Sequence, residues 1–504
     1  MRKQLLVVLA AATLTATAVP ASAEPTVNWG KCPADITSPL LHCASIEVPL
    51  DYRNPDGKKI SVEISRLSSG IPTKRRGVLL FNPGGPGGTG LTFPLEMFQL
   101  GLPASLLAEY DLIGFDPRGV DHSSPVNCDL KPEQLLTIVP KYAHNPAEVV
   151  AAAASAKQIS QQCAASKSAP VLPYITTANT ARDMDQIRAA LGEPKISYFG
   201  LSYGTYLGGV YASLFPDRTD RVVLDSVLGP DGYDITAARR FGEGMQDRFP
   251  DFAKWAAVRD SSYRLGATPA EVTATFSKLA DKLDRHPAWG FDGSLFRLAT
   301  ESLIYRDSEF PLVAQLWQTA LEDQAPPPGS LPSIGGPIQS QVGTQLSVVC
   351  GDHAWPRSIS TYQRNVAQDR VAYPLVGGST ANVGPCAYWP TKPIEQPVRF
   401  SDRGPSNLLL VQNLRDPATP LSGAQDTREA FGNRARMVTV DQGGHGAVLP
   451  YLNSCGFNAA VGYLVHGTRP ETDKFCGAET NATRSLTPQQ QQAADKIMDR
   501  LRQY

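Results

Sequence analysis

The chain has 504 residues, of which 42% are apolar and 19% are charged, so it is long enough for a large core domain with an insertion. Its 47 Lys and Arg residues nearly balance its 48 Asp and Glu residues, for a formal net charge of −1. A chain so close to neutral offers no basic surface field, which argues against nucleic acid as a partner.

The first residues have the pattern of an export signal. Arg2 and Lys3 form a charged start, residues 5–19 form an apolar run, and Ala21-Ser22-Ala23 provides an A-x-A cleavage site. The run is short for a membrane span, although a retained anchor is the alternative. We therefore predict that residues 1–23 are removed, that the mature chain has no membrane span, and that the protein is secreted and extracellular.

Strands and turns dominate the start of the mature chain. Residues 44–50 and 60–67 are predicted strands of a hairpin, joined by the turn Asn54-Pro-Asp-Gly57. Residues 77–81 form a continuous apolar run, typical of a strand buried on both faces. The same patterns predict strands at 110–115, 195–199 and 221–227 and helices at 132–167 and 180–191.

A glycine-rich stretch, residues 82–90, follows the buried apolar run. Glycines let the backbone approach a ligand closely and point N–H groups at it. We expect Gly85, with Gly84 as the next candidate, to donate an N–H group to a developing negative charge. The stretch also matches the dinucleotide fingerprint G-x-G-x-x-G, but Pro86 and Pro94 disfavour the turn and the helix which that fingerprint requires.

Two charged residues follow the predicted strand 110–115. Asp116 and Arg118 lie in the turn Asp116-Pro-Arg-Gly119, and both types of side chain can take part in catalysis. We favour the alternative that the two form an ion pair that stabilises the turn.

The stretch Gly200-Leu-Ser-Tyr-Gly204 stands between the predicted strand 195–199 and a helix. It matches G-x-S-x-G, the nucleophile elbow, in which a serine occupies a sharp, strained turn and its neighbours two residues away must be small. Ser202 is therefore the predicted nucleophile. The N–H of Tyr203, at the helix N-terminus, is the second predicted donor of an oxyanion hole.

Helical patterns dominate residues 231–400, with predicted helices at 241–255, 269–283, 294–305 and 310–322 and a proline-rich linker at 325–329. Strand-like sequence resumes at 407–411, and the chain ends in a predicted helix at 487–504. We interpret residues 231–400 as a cap inserted into one core, formed by residues 24–230 and 401–504. A second independent domain is the alternative. Strands that alternate with helices predict an α/β core with a mostly parallel sheet.

A serine nucleophile needs a base and an acid that orients the base, and elbow enzymes place them in the order Ser, Asp or Glu, His. His445 stands between glycines after the predicted strand 436–440, in a loop free to reach the serine. Asp416 follows the predicted strand 407–412, at the sheet edge where ligands collect. Asp441 is the competing acid, but it precedes His445 too closely to orient the ring.

Eight cysteines in an exported chain predict disulfides, with 105 possible pairings. We expect each cysteine to pair with its neighbour in the sequence, which gives Cys32–Cys43, Cys128–Cys163, Cys350–Cys386 and Cys455–Cys476. The cysteine spacings do not resemble zinc sites, and the sequence contains no H-E-x-x-H motif. No metal and no cofactor is therefore expected.

A resemblance rests on seven stretches that span nearly the whole mature chain: residues 48–52, 82–90, 114–119, 181–185, 200–208, 413–420 and 440–446. They are similar to the secreted tripeptidyl aminopeptidases of actinobacteria, relatives of the proline iminopeptidases in the α/β-hydrolase superfamily. The resemblance implies an α/β-hydrolase fold and places the family's nucleophile, acid and base at Ser202, Asp416 and His445. Pro83 stands where the iminopeptidases have His, which argues against release of single proline residues.

We therefore expect a serine exopeptidase that releases short N-terminal peptides, such as tripeptides, through an acyl-enzyme on Ser202. Glu243, on the first cap helix, is a candidate to bind the α-amine of the substrate. A carboxylesterase or amidase acting on small molecules is the alternative, since the same residues serve both chemistries. The presence of all three catalytic residue types disfavours a non-catalytic binding protein. The sequence indicates no oligomeric state.

Overall fold

The computed structural model describes residues 27–135, 138–328, 338–450, 452–479 and 486–501. The predicted export signal at residues 1–23 lies outside these ranges. Among the helices within them, none combines the length and the apolar character that crossing a membrane requires.

A nine-stranded sheet, in the order β1-β2-β4-β3-β5-β6-β7-β8-β9, forms the centre of the described chain. Strand β2 pairs antiparallel with both β1 and β4. The other six neighbouring pairs of the sheet, from β4–β3 to β8–β9, are parallel. The predicted α/β core with a mostly parallel sheet is therefore confirmed. The strands are β1 (Leu41–Pro49), β2 (Lys59–Leu67), β3 (Gly77–Asn82), β4 (Tyr110–Phe115), β5 (Ile196–Leu201), β6 (Thr219–Asp225), β7 (Leu408–Arg415), β8 (Ala435–Gly443) and β9 (Lys474–Cys476).

Helices fall into three groups along the chain, before β6, between β6 and β7, and after β7. The first group is α1 (Phe93–Leu100), α2 (Ala104–Glu109), α3 (Pro132–Leu135), α4 (Pro146–Ala165), α5 (Thr177–Ala190) and α6 (Tyr203–Leu214). The second is α7 (Ile235–Ala257), α8 (Asp260–Tyr263), α9 (Pro269–Arg285), α10 (Gly293–Leu303), α11 (Phe310–Leu321), α12 (Ile338–Asp352), α13 (Ile359–Ala372) and α14 (Gly377–Thr380). The third is α15 (Leu421–Phe431), α16 (Ser454–His466) and α17 (Pro488–Leu501).

The sheet is covered on both faces. Side chains that alternate along β3 enter two different cores, with Val78 and Leu80 in one and Leu79 and Phe81 in the other. Helices α5 and α6 pack on the first face, and α1, α16 and α17 pack on the second. Burial on both faces explains why the central strands are continuous apolar runs, as the sequence predicts for residues 77–81.

The helices between β6 and β7 have a core of their own. Aromatic side chains of α7, α9, α10 and α11 pack together, with Trp317 at the centre and fully buried. Helix α9 starts where it is predicted, because Thr268 and Glu271 form a capping box around Pro269. Helix α7 starts earlier than predicted, because Asp234 caps it by accepting hydrogen bonds from the N–H groups of Thr236 and Ala237.

Other predicted boundaries are wrong. The helix expected at 132–167 is divided into α3 and α4, because the Asn145 side chain accepts the N–H groups of Ala147 and Glu148 and so starts a new helix. Helices α12 and α13 and strand β9 have no counterpart in the predicted elements. The four predicted disulfides are all confirmed.

The prediction that Asp116 and Arg118 form an ion pair is wrong, because each of them has a different partner. The guanidinium of Arg118, fully buried, pairs instead with Asp183 of α5, at 2.5 and 2.6 Å, and donates to the carbonyls of Pro49 and Leu50. Asp116 accepts the N–H of Gly90, at 2.8 Å. Neighbouring turn residues therefore stabilise two separate parts of the core, and Asp116 fixes the far end of the glycine-rich stretch.

Candidate active site

Ser202 sits at the junction of β5 and α6, in the geometry that the elbow motif predicts. Its φ of 59° and ψ of −128° lie outside the ordinary helix and strand regions, and its N–H donates to the carbonyl of Asp225 at 3.0 Å. A Cβ atom on Gly204 would lie 2.7 Å from the carbonyl oxygen of Asn82. Only glycine fits there, so the turn can present Ser202 at the carboxyl end of β5.

Tyr203 begins α6, so its N–H has no acceptor within the helix and is available to an anion at the helix N-terminus. Its side chain is fixed by a chain of hydrogen bonds. The hydroxyl lies 2.5 Å from Thr177 Oγ1, and Thr177 donates in turn to the carboxylate of Asp352 through Oγ1, at 2.5 Å, and through its N–H, at 3.0 Å. Helices α5 and α12 thus hold the residue next to the serine in place.

The glycine-rich stretch packs against the elbow. A Cβ atom on Gly84, where φ is +98°, would lie 2.5 Å from the carbonyl oxygen of Leu201 and 2.9 Å from Ser202 Cβ. The N–H of Gly84 donates to the side chain of Asn82 at 3.0 Å. Gly84 therefore has no free N–H for a substrate, which favours Gly85 as the donor.

Replacing Gly84 with alanine is expected to lower kcat at least about 100-fold. The new methyl group would displace the glycine-rich stretch, with the expected donor Gly85, from the elbow, and loss of one oxyanion donor costs roughly 100- to 1,000-fold. Gly462→Ala is the matched control, since a Cβ atom there meets no atom within 4 Å inside α16. Steady-state rates on a chromogenic peptide test both variants. Equal rates for the two variants would contradict the packing argument.

Asp416 and His445 are joined directly. The ring Nδ1 of His445 lies 2.9 and 3.0 Å from the two carboxylate oxygens of Asp416, and both side chains are buried. The same carboxylate accepts the N–H groups of Ala418 and Thr419, each at 2.9 Å. Because a carboxylate only accepts, Nδ1 carries the proton in the neutral ring and Nε2 keeps a lone pair.

The described residues contain no hydrogen bond between Ser202 and His445, and Nε2 of His445 is buried without a partner among them. The structure therefore joins the predicted acid and base to each other, but not the base to the serine. A shared anchor links the two parts of the site. Asp225, at the end of β6, accepts the Ser202 N–H on its carbonyl, and its carboxylate accepts the N–H groups of Ala447 and Val448, at 2.7 and 2.9 Å.

Asp225 is a site residue that the sequence analysis missed. Burial raises its pKa to about 6, and the two backbone hydrogen bonds act against that rise. Its neighbour Ser226 accepts the N–H of Gly446 at 2.8 Å, so both residues hold the loop of His445. Their position near the end of the predicted strand 221–227, at the same sheet edge as the serine, is the signal that could have identified them.

The competing acid, Asp441, forms an ion pair with Arg415 at 2.7 Å. Arg415 also pairs with Asp251 of α7, at 2.9 Å. Asp441 thus belongs to an ion-pair network at the base of the helical insertion, and the carboxylate that contacts the histidine ring is that of Asp416.

The helical insertion contacts the histidine loop through Tyr305, which follows α10. The carbonyl of Tyr305 accepts the N–H of His445 at 3.0 Å, and the two rings meet edge to face with centroids 5.2 Å apart. Tyr305 also lines a cavity of about 220 Å³ between the insertion and the core, together with Tyr233, Phe241, Leu298 and Glu301. Glu243, the expected amine-binding residue, does not line this cavity.

Two family models match the chain. The model described as alpha/beta hydrolase fold matches residues 77–296, which include the elbow, and the model described as TAP-like protein matches residues 373–476, which include Asp416 and His445.

Known proteins match over most of their length. The tripeptidyl aminopeptidase of Streptomyces lividans is 35% identical over 470 residues, which cover 89% of this chain and 86% of that protein. Serine protease Hip1 of Mycobacterium tuberculosis is 29% identical over 462 residues, 86% of this chain and 87% of that protein. Carboxylesterase B of the same species is 28% identical over 481 residues, 90% of each chain. The chain therefore belongs to the tripeptidyl aminopeptidases, serine peptidases of the α/β-hydrolase superfamily.

Proposed function

We propose that this protein is a secreted serine exopeptidase that releases tripeptides from the N-terminus of peptide substrates through an acyl-enzyme on Ser202. The observation that carries the proposal is the buried Asp416–His445 pair, anchored through Asp225 to the elbow that bears Ser202. The four disulfides and the export pattern of residues 1–23 support secretion.

In the proposed mechanism, Nε2 of His445 takes the proton of Ser202 as the serine oxygen attacks the substrate carbonyl carbon. Asp416 keeps the imidazole in the required tautomer and stabilises the imidazolium that forms. The N–H groups of Tyr203 and Gly85 stabilise the oxyanion. His445 then protonates the departing amine, and a water molecule releases the acyl group by the same steps in reverse order.

In this proposal, the helical insertion covers the site and so restricts cleavage to the ends of peptides. We propose the domain division 24–230, 231–400 and 401–504, with the middle segment as a cap over the site. The hydrogen bond and the ring contact between Tyr305 and His445 support this division, since they join the proposed cap to the proposed base. A covered site admits the end of a peptide more readily than the middle of a folded chain.

A panel of p-nitroanilide substrates tests the proposal. A tripeptide with a free amine is expected to react faster than a single aminoacyl substrate, its N-acetylated form and short-chain p-nitrophenyl esters. Fastest turnover of the single aminoacyl substrate, or of the acetylated tripeptide, would refute tripeptide release.

A carboxylesterase or amidase is the second candidate. It is favoured by the 28% identity to Carboxylesterase B and by the aromatic and aliphatic lining of the cavity. The same panel decides it, because an esterase would hydrolyse the p-nitrophenyl esters and leave every peptide substrate intact.

A further inference from the structure

Glu301 is a carboxyl group that the catalytic steps do not use. It lies in the last turn of α10 and lines the same cavity as Tyr305, whose carbonyl holds the His445 N–H. Tyr233 and Phe241 line the same cavity, and their rings stack with centroids 6.1 Å apart. An acidic group therefore lines a cavity that shares the wall residue Tyr305 with the loop of His445.

Within the described part of the chain, Glu301 has neither an ion pair nor a hydrogen bond, and burial alone raises its pKa to about 8. Arg297 is the other charged residue lining the cavity, but its guanidinium is already paired with Asp284 at 2.9 Å and stacks over Tyr142 at 4.0 Å. Glu301 is half-buried, and a carboxylate partly withdrawn from water without a partner is costly to keep ionised. A cationic ligand in the cavity would remove that cost.

The neighbourhood of Tyr233 connects Glu301 to the catalytic acid. Burial, followed by the charges of Asp416 and Glu301, raises the pKa of Tyr233. The phenol of Tyr233 is therefore within electrostatic range of both carboxyl groups.

We propose that Glu301 binds the free α-ammonium group of the peptide substrate; this inference rests on the exopeptidase function proposed above. The α-ammonium is the cation that a peptide carries at its N-terminus whatever its side chains, so one carboxylate at a fixed place can measure the length of the released piece. Arrival of the ammonium favours the ionised carboxyl and forms a charge-assisted hydrogen bond inside the cavity. Glu301 thus takes the role that the sequence analysis suggested for Glu243.

The test compares Glu301→Gln with the wild type on a tripeptide p-nitroanilide and on its N-acetylated form. The free peptide is expected to lose roughly 10- to 150-fold in kcat/KM, mainly through KM, as is typical for loss of a hydrogen bond to a charged group. The acetylated form is expected to keep its rate. Glu243→Gln is the matched control and is expected to resemble the wild type on both substrates.

Two further readouts keep the outcomes distinct. Glu301→Gln is expected to have an unchanged or higher Tm, because it removes an unpaired, half-buried carboxyl. It is also expected to react with a fluorophosphonate at the wild-type rate, because that reaction needs no amine. If the variant labels normally yet cleaves the free peptide as well as the wild type does, the amine site is wrong while the hydrolase stands. A loss confined to Glu243→Gln would also overturn the assignment. Failure of the wild type to cleave any peptide overturns both proposals.

Discussion

Ser202→Ala is expected to lower kcat for peptide hydrolysis by roughly 10⁶-fold while the protein stays folded, since loss of the nucleophile removes the covalent route entirely. Ser202 is only 6% exposed, and its Oγ makes no hydrogen bond within the described residues, so removing one oxygen atom creates little strain. Rates on a chromogenic tripeptide measure the loss of kcat, and a Tm measurement shows whether the variant stays folded.

Ser213→Ala provides the matched control for that variant. Ser213 lies on the same helix, α6, and its hydroxyl only donates to the carbonyl of Gly209, at 2.8 Å. This control is expected to keep its activity. Turnover by Ser202→Ala at a rate near that of Ser213→Ala would remove Ser202 from the mechanism.

Asp416→Asn is expected to lower kcat by about 10⁴-fold, the size of effect seen when the acid of such a triad is made neutral. The reason is the hydrogen bonding around Oδ1, which accepts the N–H groups of Ala418 and Thr419. In the variant, the amide oxygen of the new side chain would take that place, leaving its NH₂ group facing the histidine. A donor there forces the proton from Nδ1 to Nε2, and the ring can then no longer accept the serine proton.

The control for that variant is Asp441→Asn. Asp441 pairs with Arg415 and does not contact the ring, so kcat is expected to change only a few-fold, as for loss of a partly exposed ion pair. Comparing kcat of the two variants on one tripeptide substrate shows which of the two carboxylates orients the histidine. A larger loss for Asp441→Asn would mean that the wrong carboxylate has been assigned to the histidine.

The parts of the site that the sequence predicted are those set by local chemistry. The elbow glycines follow from the close approach of neighbouring residues, and Asp416 and His445 follow from strands that end at one edge of a parallel sheet. The anchor at Asp225 was missed because its partners, Ala447 and Val448, are more than 200 positions away, with separations of 222 and 223. Periodicity and motifs contain no information about such a contact.

The helices of the insertion also differ in whether their sequence pattern predicts them. Helix α9 has one buried face and a capping box, so its pattern identifies it. Helix α12 is buried on nearly every side and includes buried Ser, Gln and Thr residues, which erases the apolar stripe on which prediction depends. The exact partner of Arg118 was also beyond the sequence, because only the fold brings Asp183 of α5 next to its guanidinium.

The central claim is that one serine, activated by a histidine from the far end of the chain, carries out the reaction. Its most direct test is to label the protein with a fluorophosphonate and map the adduct by mass spectrometry of its peptides. A single adduct on Ser202, formed far more slowly in His445→Ala, is the result that the geometry requires. An adduct on another residue, or labelling of Ser202 at the same rate without His445, would contradict it.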